Sequence, residues 1–196
     1  MQMALKASTL RTSLTRARDR TNGMKTDSRK RCSWAAGLAW TLAVLLATSA
    51  AAEAPRIAVF GFELIDTSLE GEISGPRADE QERLIAISDQ LRRELTESGR
   101  YTLVDIAPMH DRIEKAGTLH GCNGCEADIA RALGAEISMA GTVQKVSNLI
   151  LNINLYMRDT ATGKLLRTLS VDIRGNTDAS WSRGVSYIIR NRLLDD

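Results

Sequence analysis

Between Ile137 and Ile173, apolar residues return at every second position in three successive runs, and no other feature of the 196-residue chain narrows its fold as much. A period of two puts alternate side chains on opposite faces of a strand, so each run reads as a strand with one buried face. The runs are Ile137 to Val146; Leu149, Leu151, Ile153, Leu155 and Met157; and Leu169, Val171 and Ile173. Ser147-Asn148 reads as a tight turn between the first two, and Asp159 to Gly163 as the turn before the third. Together they predict an antiparallel meander.

The chain ahead of this meander is built differently. Arg56 to Ile65 (RIAVFGFELI) is a nearly unbroken apolar run, as expected of a central strand covered on both faces. Asp66 to Asp79 turns polar, with Gly71, Gly75 and Pro76, and reads as an exposed acidic loop. Asp79 and Glu82 resemble a capping box, and Leu84, Ile87, Leu91 and Leu95 then recur at helical spacing until Gly99, predicting a helix over 80–98. Tyr101 to Ile106 reads as a short strand, Pro108 opens a helix to about Ala116, and a further helix runs from Cys125 to Leu133 before Gly134. A last helix, capped by Asp178 or Ser180, turns Trp181, Val185, Ile188, Ile189 and Leu193 to one side.

The predicted order is therefore β-α-β-α-α-β-β-β-α. A parallel pair joined by a helix and followed by a meander gives a mixed sheet with helices packed on it. The expected fold class is α/β (α+β), a single domain of three-layer type.

Residues 1–52 read as an export signal. A basic stretch (Lys25, Arg29, Lys30, Arg31) leads into an apolar segment from Trp34 to Ala47 and then into small residues. Ala50 and Ala52 suit a signal peptidase, which places the expected mature start at Glu53 and the working domain at 53–196. Met24 is an alternative start. The competing reading is an uncleaved inner-membrane anchor, since Trp34 to Ala52 approaches the length that spans a bilayer. A lipoprotein anchor would need a cysteine after the apolar segment, whereas Cys32 precedes it. The expected location is periplasmic.

Without the signal, the balance is 17 basic to 22 acidic side chains, so the full-chain net charge of +2 gives way to an acidic domain. A phosphate-backbone binder would present a basic surface instead, and nucleic acid is not an expected partner. Cys32 departs with the signal, leaving Cys122 and Cys125. An even count in an oxidising compartment implies a disulfide.

The most distinctive local motif is His120-Gly-Cys122-Asn-Gly-Cys125, immediately before a helix. Besides a structural disulfide it admits a thiol redox couple, because a helix amino terminus stabilises thiolate. It also admits a metal site built on His120, Cys122 and Cys125, which needs at least one further ligand. Haem attachment is excluded, since Glu126 stands where that motif needs histidine. No G-x-S-x-G elbow or Gly-rich phosphate loop is present, no catalytic set can be assembled, and no cofactor is implied. Asp66, Glu70 and Glu72, in the loop after the first strand, are candidates for contacting a partner or ligand. Trp181 is a further candidate if it is exposed, and a core anchor if it is not.

The order of elements, with RIAVFGFEL, CNGC-EADIARALGA, GTVQKVSNLIL and RGNTDASW, resembles a family of small secreted bacterial proteins known as a domain of unknown function. The resemblance covers nearly all of residues 53–196. More distantly, the layout and the IAVFGF and A..LGA...GTV rhythms resemble the amino-terminal domain of TolB and the periplasmic domains of CsgG and LpoB. That resemblance implies binding to other envelope proteins. The leading expectation is a non-enzymatic periplasmic binding or accessory protein, acting on another envelope protein through its sheet edge or the acidic loop. The alternatives are a thiol-disulfide redox protein using Cys122 and Cys125, and a small-ligand or metal sensor.

Overall fold

The computed structural model describes residues 53–195; the expected export signal, the alternative start Met24 and Cys32 lie outside them. Strands β1 (Arg56–Asp66), β2 (Thr102–Val104), β3 (Ile137–Ser147), β4 (Ile150–Asp159) and β5 (Leu165–Arg174) form one mixed sheet in the order β2-β1-β3-β4-β5. β1 runs parallel to both neighbours, and β3-β4-β5 is the antiparallel meander.

The inward positions of the meander, including Met139, Val143, Leu151, Ile153, Leu155, Met157, Leu169 and Ile173, are buried on one face. Helices α2 (Ala78–Ser98) and α5 (Asp178–Ile188) cover that face. α2 contributes Leu84, Ile87, Leu91 and Leu95, and α5 with the π-turn at Ile189–Leu193 contributes Trp181, Val185, Ile188, Ile189 and Leu193. α5 approaches the sheet closely at Gly184, where a Cβ would stand 2.7 Å from Ile173 Cγ2 and 2.9 Å from Ile153 Cδ1. On the other face, α4 (Cys125–Ala132), preceded by α3 (His110–Ala116), packs on β1 and β3 through Ala58, Ala130 and Ala135. This third layer stops short of β5, whose Thr168, Ser170 and Asp172 are exposed.

β1 carries a bulge that decides which side chains face which layer. Its register with β3 shifts between Val59 and Gly61. Ile57 and Val59 face α2 before the shift, and Phe62 and Leu64 face it afterwards. Gly61 has φ +95°, a conformation glycine adopts at low cost. Helix α2 satisfies the backbone groups that the bulge frees. Ser88 Oγ accepts from Phe62 N at 3.0 Å, and Arg92 Nε donates to Val59 O at 3.3 Å.

Several expectations shift locally. The segment 66–79 is not all loop, because it holds helix α1 (Leu69–Ser74), capped by Ser68, whose hydroxyl accepts from Gly71 N at 3.1 Å. α1 buries no residue, so apolar periodicity could not announce it. Asp79 does not cap α2. Arg77 holds the N-cap position, and the Asp79 carboxylate is taken by the Arg77 and Arg83 guanidiniums. Thr177, rather than Asp178 or Ser180, caps α5. The β3-β4 turn falls at Asn148-Leu149, so Leu149 leaves the inward face and is 72% exposed.

Candidate functional site

At the carboxyl ends of β1 and β3 a cation is buried among carboxylates. β1 delivers Asp66, and after the bulge this residue has the same facing as Phe62 and Leu64. Its β3 partner is Lys145, which is fully buried. Lys145 Nζ lies 2.7 Å from Glu80 Oε1, 3.1 Å from Asp66 Oδ2 and 3.2 Å from Glu70 Oε2. Glu80, in the first turn of α2, is also fully buried, and its Oε2 has no hydrogen-bond partner among the described residues. A buried lysine is tolerated only with such partners, since an isolated buried charge costs far more than a hydrogen bond recovers.

A chain of amides extends the cluster. Asn176 Nδ2 donates to Glu80 Oε1 at 2.6 Å and to Asn148 Oδ1 at 3.0 Å, and Asn148 Nδ2 donates to Glu70 Oε2 at 2.8 Å. Trp181 Nε1 donates to Asn176 Oδ1 at 3.0 Å. On the outer side Arg77 binds Glu70 at 2.8 Å and Asp79 at 2.8 Å. The network thus ties α1, the start of α2, the β3-β4 turn and the β5-α5 loop to one buried ammonium.

The electrostatics follow from these contacts. Burial pushes the Asp66 carboxyl up, but hydrogen bonds from Ser68 and Lys145 outweigh it and hold the group below the usual carboxylate range. Hydrogen bonds from Asn148, Arg77 and Lys145 hold Glu70 below that range as well. For Lys145 burial alone would lower the pKa, yet hydrogen bonds to Glu80, Asp66 and Glu70 raise it above the ordinary lysine value. Asp66 and Glu70 therefore stay ionised and Lys145 stays protonated at neutral pH. None of the three is poised as a proton donor or base there.

Of the residues singled out in the sequence, Asp66 and Glu70 come together, whereas Glu72 is exposed on α1 and outside the network. Trp181 is 0% exposed, so it anchors the core and offers no surface to a partner. Lys145, Glu80, Asn148 and Asn176 were missed. Parity could have found the first two. Lys145 shares the inward register of Met139, Gly141 and Val143, and Glu80 stands one turn ahead of Leu84 on the apolar stripe of α2.

The ionic cluster sits beside exposed apolar side chains. Leu69 and Ile73 on α1 are 71% and 76% exposed, and Val146, Leu149 and Ile150 around the β3-β4 turn are also exposed.

The second motif lies on the opposite face. A disulfide joins Cys122 and Cys125, whose Cα atoms are 5.5 Å apart. The Glu63 carboxylate accepts from Leu119 N at 2.7 Å and His120 N at 3.1 Å, and contacts His120 Nδ1 at 2.6 Å. His120 is thereby turned to Glu63 rather than to the cysteines. The group that gathers there is Cys122, Cys125 and Glu126, so the metal set of His120, Cys122 and Cys125 is not assembled. With both sulfurs in a disulfide, no thiolate is left for a metal. Among the described residues no helix is long and apolar enough to cross a membrane.

Over residues 55–193 the sequence matches the model of a family described as "Protein of unknown function (DUF2380)". The chain belongs to this family. The matched span of this family member includes every element from β1 to the π-turn, and with it Lys145 and the disulfide. No curated protein matches it. Among solved structures it is similar to the LpoB C-terminal domain from Salmonella enterica, at 15% identity over 64% of this chain and 87% of that one, with a TM-score of 0.46. It is also similar to lipoprotein GNA1162 from Neisseria meningitidis, at 15% identity, 73% and 98% coverage and a TM-score of 0.46. For TolB from Acinetobacter baumannii the values are 16% identity, 70% and 29% coverage and a TM-score of 0.37.

Proposed function

We propose that this chain is a non-enzymatic periplasmic binding protein that docks another envelope protein on the end formed by α1 and the β3-β4 turn. The observation that carries this reading is the exposure of Leu69 and Ile73 on α1 and of Leu149 in the β3-β4 turn, where the neighbouring Asn148 donates to Glu70 of α1 at 2.8 Å. Exposed apolar groups gathered at one place on a small domain mark interaction surfaces more often than scattered ones do. The Lys145 cluster beneath them gives the docking end its rigidity. It fixes α1, which has no buried residue of its own, through Glu70. Asp66 and Glu70 are neutralised internally, so the role expected for them shifts from touching the partner to holding the surface that does. The periplasmic location rests on the export signal in residues 1–52.

A second contact is favoured at β5. Among the described residues this ten-residue strand pairs only with β4, leaving its other edge without a strand, and Leu165 and Leu166 on it are exposed. An open edge of that length accepts a further strand through main-chain hydrogen bonds.

The test is affinity capture from a periplasmic extract with the wild-type chain and with a Leu69→Asp/Leu149→Asp variant. Both substitutions are at exposed positions, and thermal unfolding of the variant should match the wild type. The expected result is a protein retained by the wild type and lost by the variant. Equal retention by both, or no retained protein alongside turnover in an unbiased substrate screen, would overturn the proposal.

A further inference from the structure

On the face of the sheet opposite Lys145, a cleft of about 280 Å³ opens beside the disulfide loop. Ala140 and Thr142 of β3 form its floor, Tyr156 and Arg158 of β4 one wall, and His120 and Asn123 the rim. Its volume corresponds to roughly nine water molecules at about 30 Å³ each.

The charged groups around this cleft are already paired. Glu63 is satisfied by two backbone N–H groups and the His120 ring, and Arg158 Nε binds Glu126 Oε1 at 2.8 Å while its Nη1 donates to Gly163 O at 3.3 Å. A carboxylate cannot donate, so the His120 nitrogen facing Glu63 carries the proton, and Nε2 is left as an acceptor when the ring is neutral. The Asn123 amide and the Tyr156 hydroxyl have no partner among the described residues, and the Thr142 hydroxyl is met only by Asn154 at 3.5 Å. What remains open is neutral: amide and hydroxyl groups that donate and accept, beside the apolar side chains of Ile65, Leu119 and Ala140.

We propose that this cleft binds an uncharged polyhydroxyl ligand about the size of one sugar ring. An ion of either sign would meet charges already compensated, whereas each ligand hydroxyl can exchange a bridging water for Asn123, Tyr156, Thr142 or His120. The disulfide makes the site rigid. Asn123 stands between the two cysteines at φ +54°, followed by Gly124 at φ +102°, and the ring closed by Cys122 and Cys125 holds Asn123 at the rim. This site is independent of the docking end.

The test is an amide NMR titration of the isotope-labelled protein with methyl glucoside, methyl galactoside, methyl mannoside and inositol, set against acetate, phosphate and methylammonium. The expected result is saturable shifts of the Leu119–Gly124 and Tyr156 amides with at least one polyol and none with the ions. Asn123→Gly tolerates the positive φ and Tyr156→Phe removes only a hydroxyl, so both should fold with unchanged melting temperature. Each should weaken binding by about tenfold, as expected for losing one hydrogen bond. Shifts produced by the ions instead, no shift with any compound, or undiminished polyol binding in both variants would overturn it.

Discussion

The ammonium of Lys145 lies 2.7 Å from the carboxylate of Glu80, and neither side chain has any exposed surface. The pair sits between β3 and α2, 65 residues apart in the chain. Removing one partner strands the other without water. Lys145→Met should therefore lower the unfolding free energy by about 3–5 kcal/mol. Adding Glu80→Gln should restore part of that loss, because the uncompensated charge is removed together with its unmet acceptor. A double-mutant cycle by urea unfolding reads the coupling, and simple additivity would mean that the pair does not act as a unit.

Acid should weaken the same end of the molecule. Asp66 and Glu70 have pKa values below their ordinary ones in the folded chain, so as pH falls the unfolded state takes up protons first. Their contribution is fully present above about pH 5 and is lost as pH drops through about 4 and then through the folded values. The raised Lys145 pKa acts at the other extreme, present below about 10 and lost as pH climbs through the folded value. Unfolding midpoints against pH should show a plateau between these limits, and an Asp66→Asn/Glu70→Gln variant should show a shallower acid limb.

The bulge in β1 makes a third expectation. A Cβ on Gly61 would stand 2.7 Å from Ser88 Oγ and 3.0 Å from Ser88 Cβ, at a φ that L-residues disfavour. Gly61→Ala should cost about 1–3 kcal/mol. Because Ser88 also receives Phe62 N, the substitution should reduce hydrogen-exchange protection of that amide beyond the global loss. Unchanged protection would mean that α2 does not clamp the bulge.

These positions mark where the sequence was legible and where it was not. The meander could be read because its inward residues alternate without interruption, and the Leu84, Ile87, Leu91 and Leu95 stripe because one helix face is buried throughout. β1 gave no parity, since both its faces are covered and RIAVFGFELI is apolar at nearly every position. Its bulge was invisible for the same reason, and so was the facing of Asp66. The cluster itself joins Asp66, Glu80, Lys145 and Asn176, residues brought together by sheet order and helix packing rather than by spacing. Charged residues at core-facing positions were the available sign, and they could have marked Lys145 and Glu80 as a pair.

The last expectation concerns the loop before α4, which two restraints hold. The disulfide closes a ring of only four residues, so replacing both Cys122 and Cys125 with serine should cost about 2 kcal/mol or less in the chain-entropy account. Glu63 acts separately, accepting the Leu119 and His120 amides from a strand on the other side of the loop. Those two amides should therefore stay protected from hydrogen exchange in the double-serine variant and lose protection only when Glu63→Ala is added, which removes both acceptor oxygens. If the serine substitutions alone release them, the disulfide orders the loop and the Glu63 contacts follow from it.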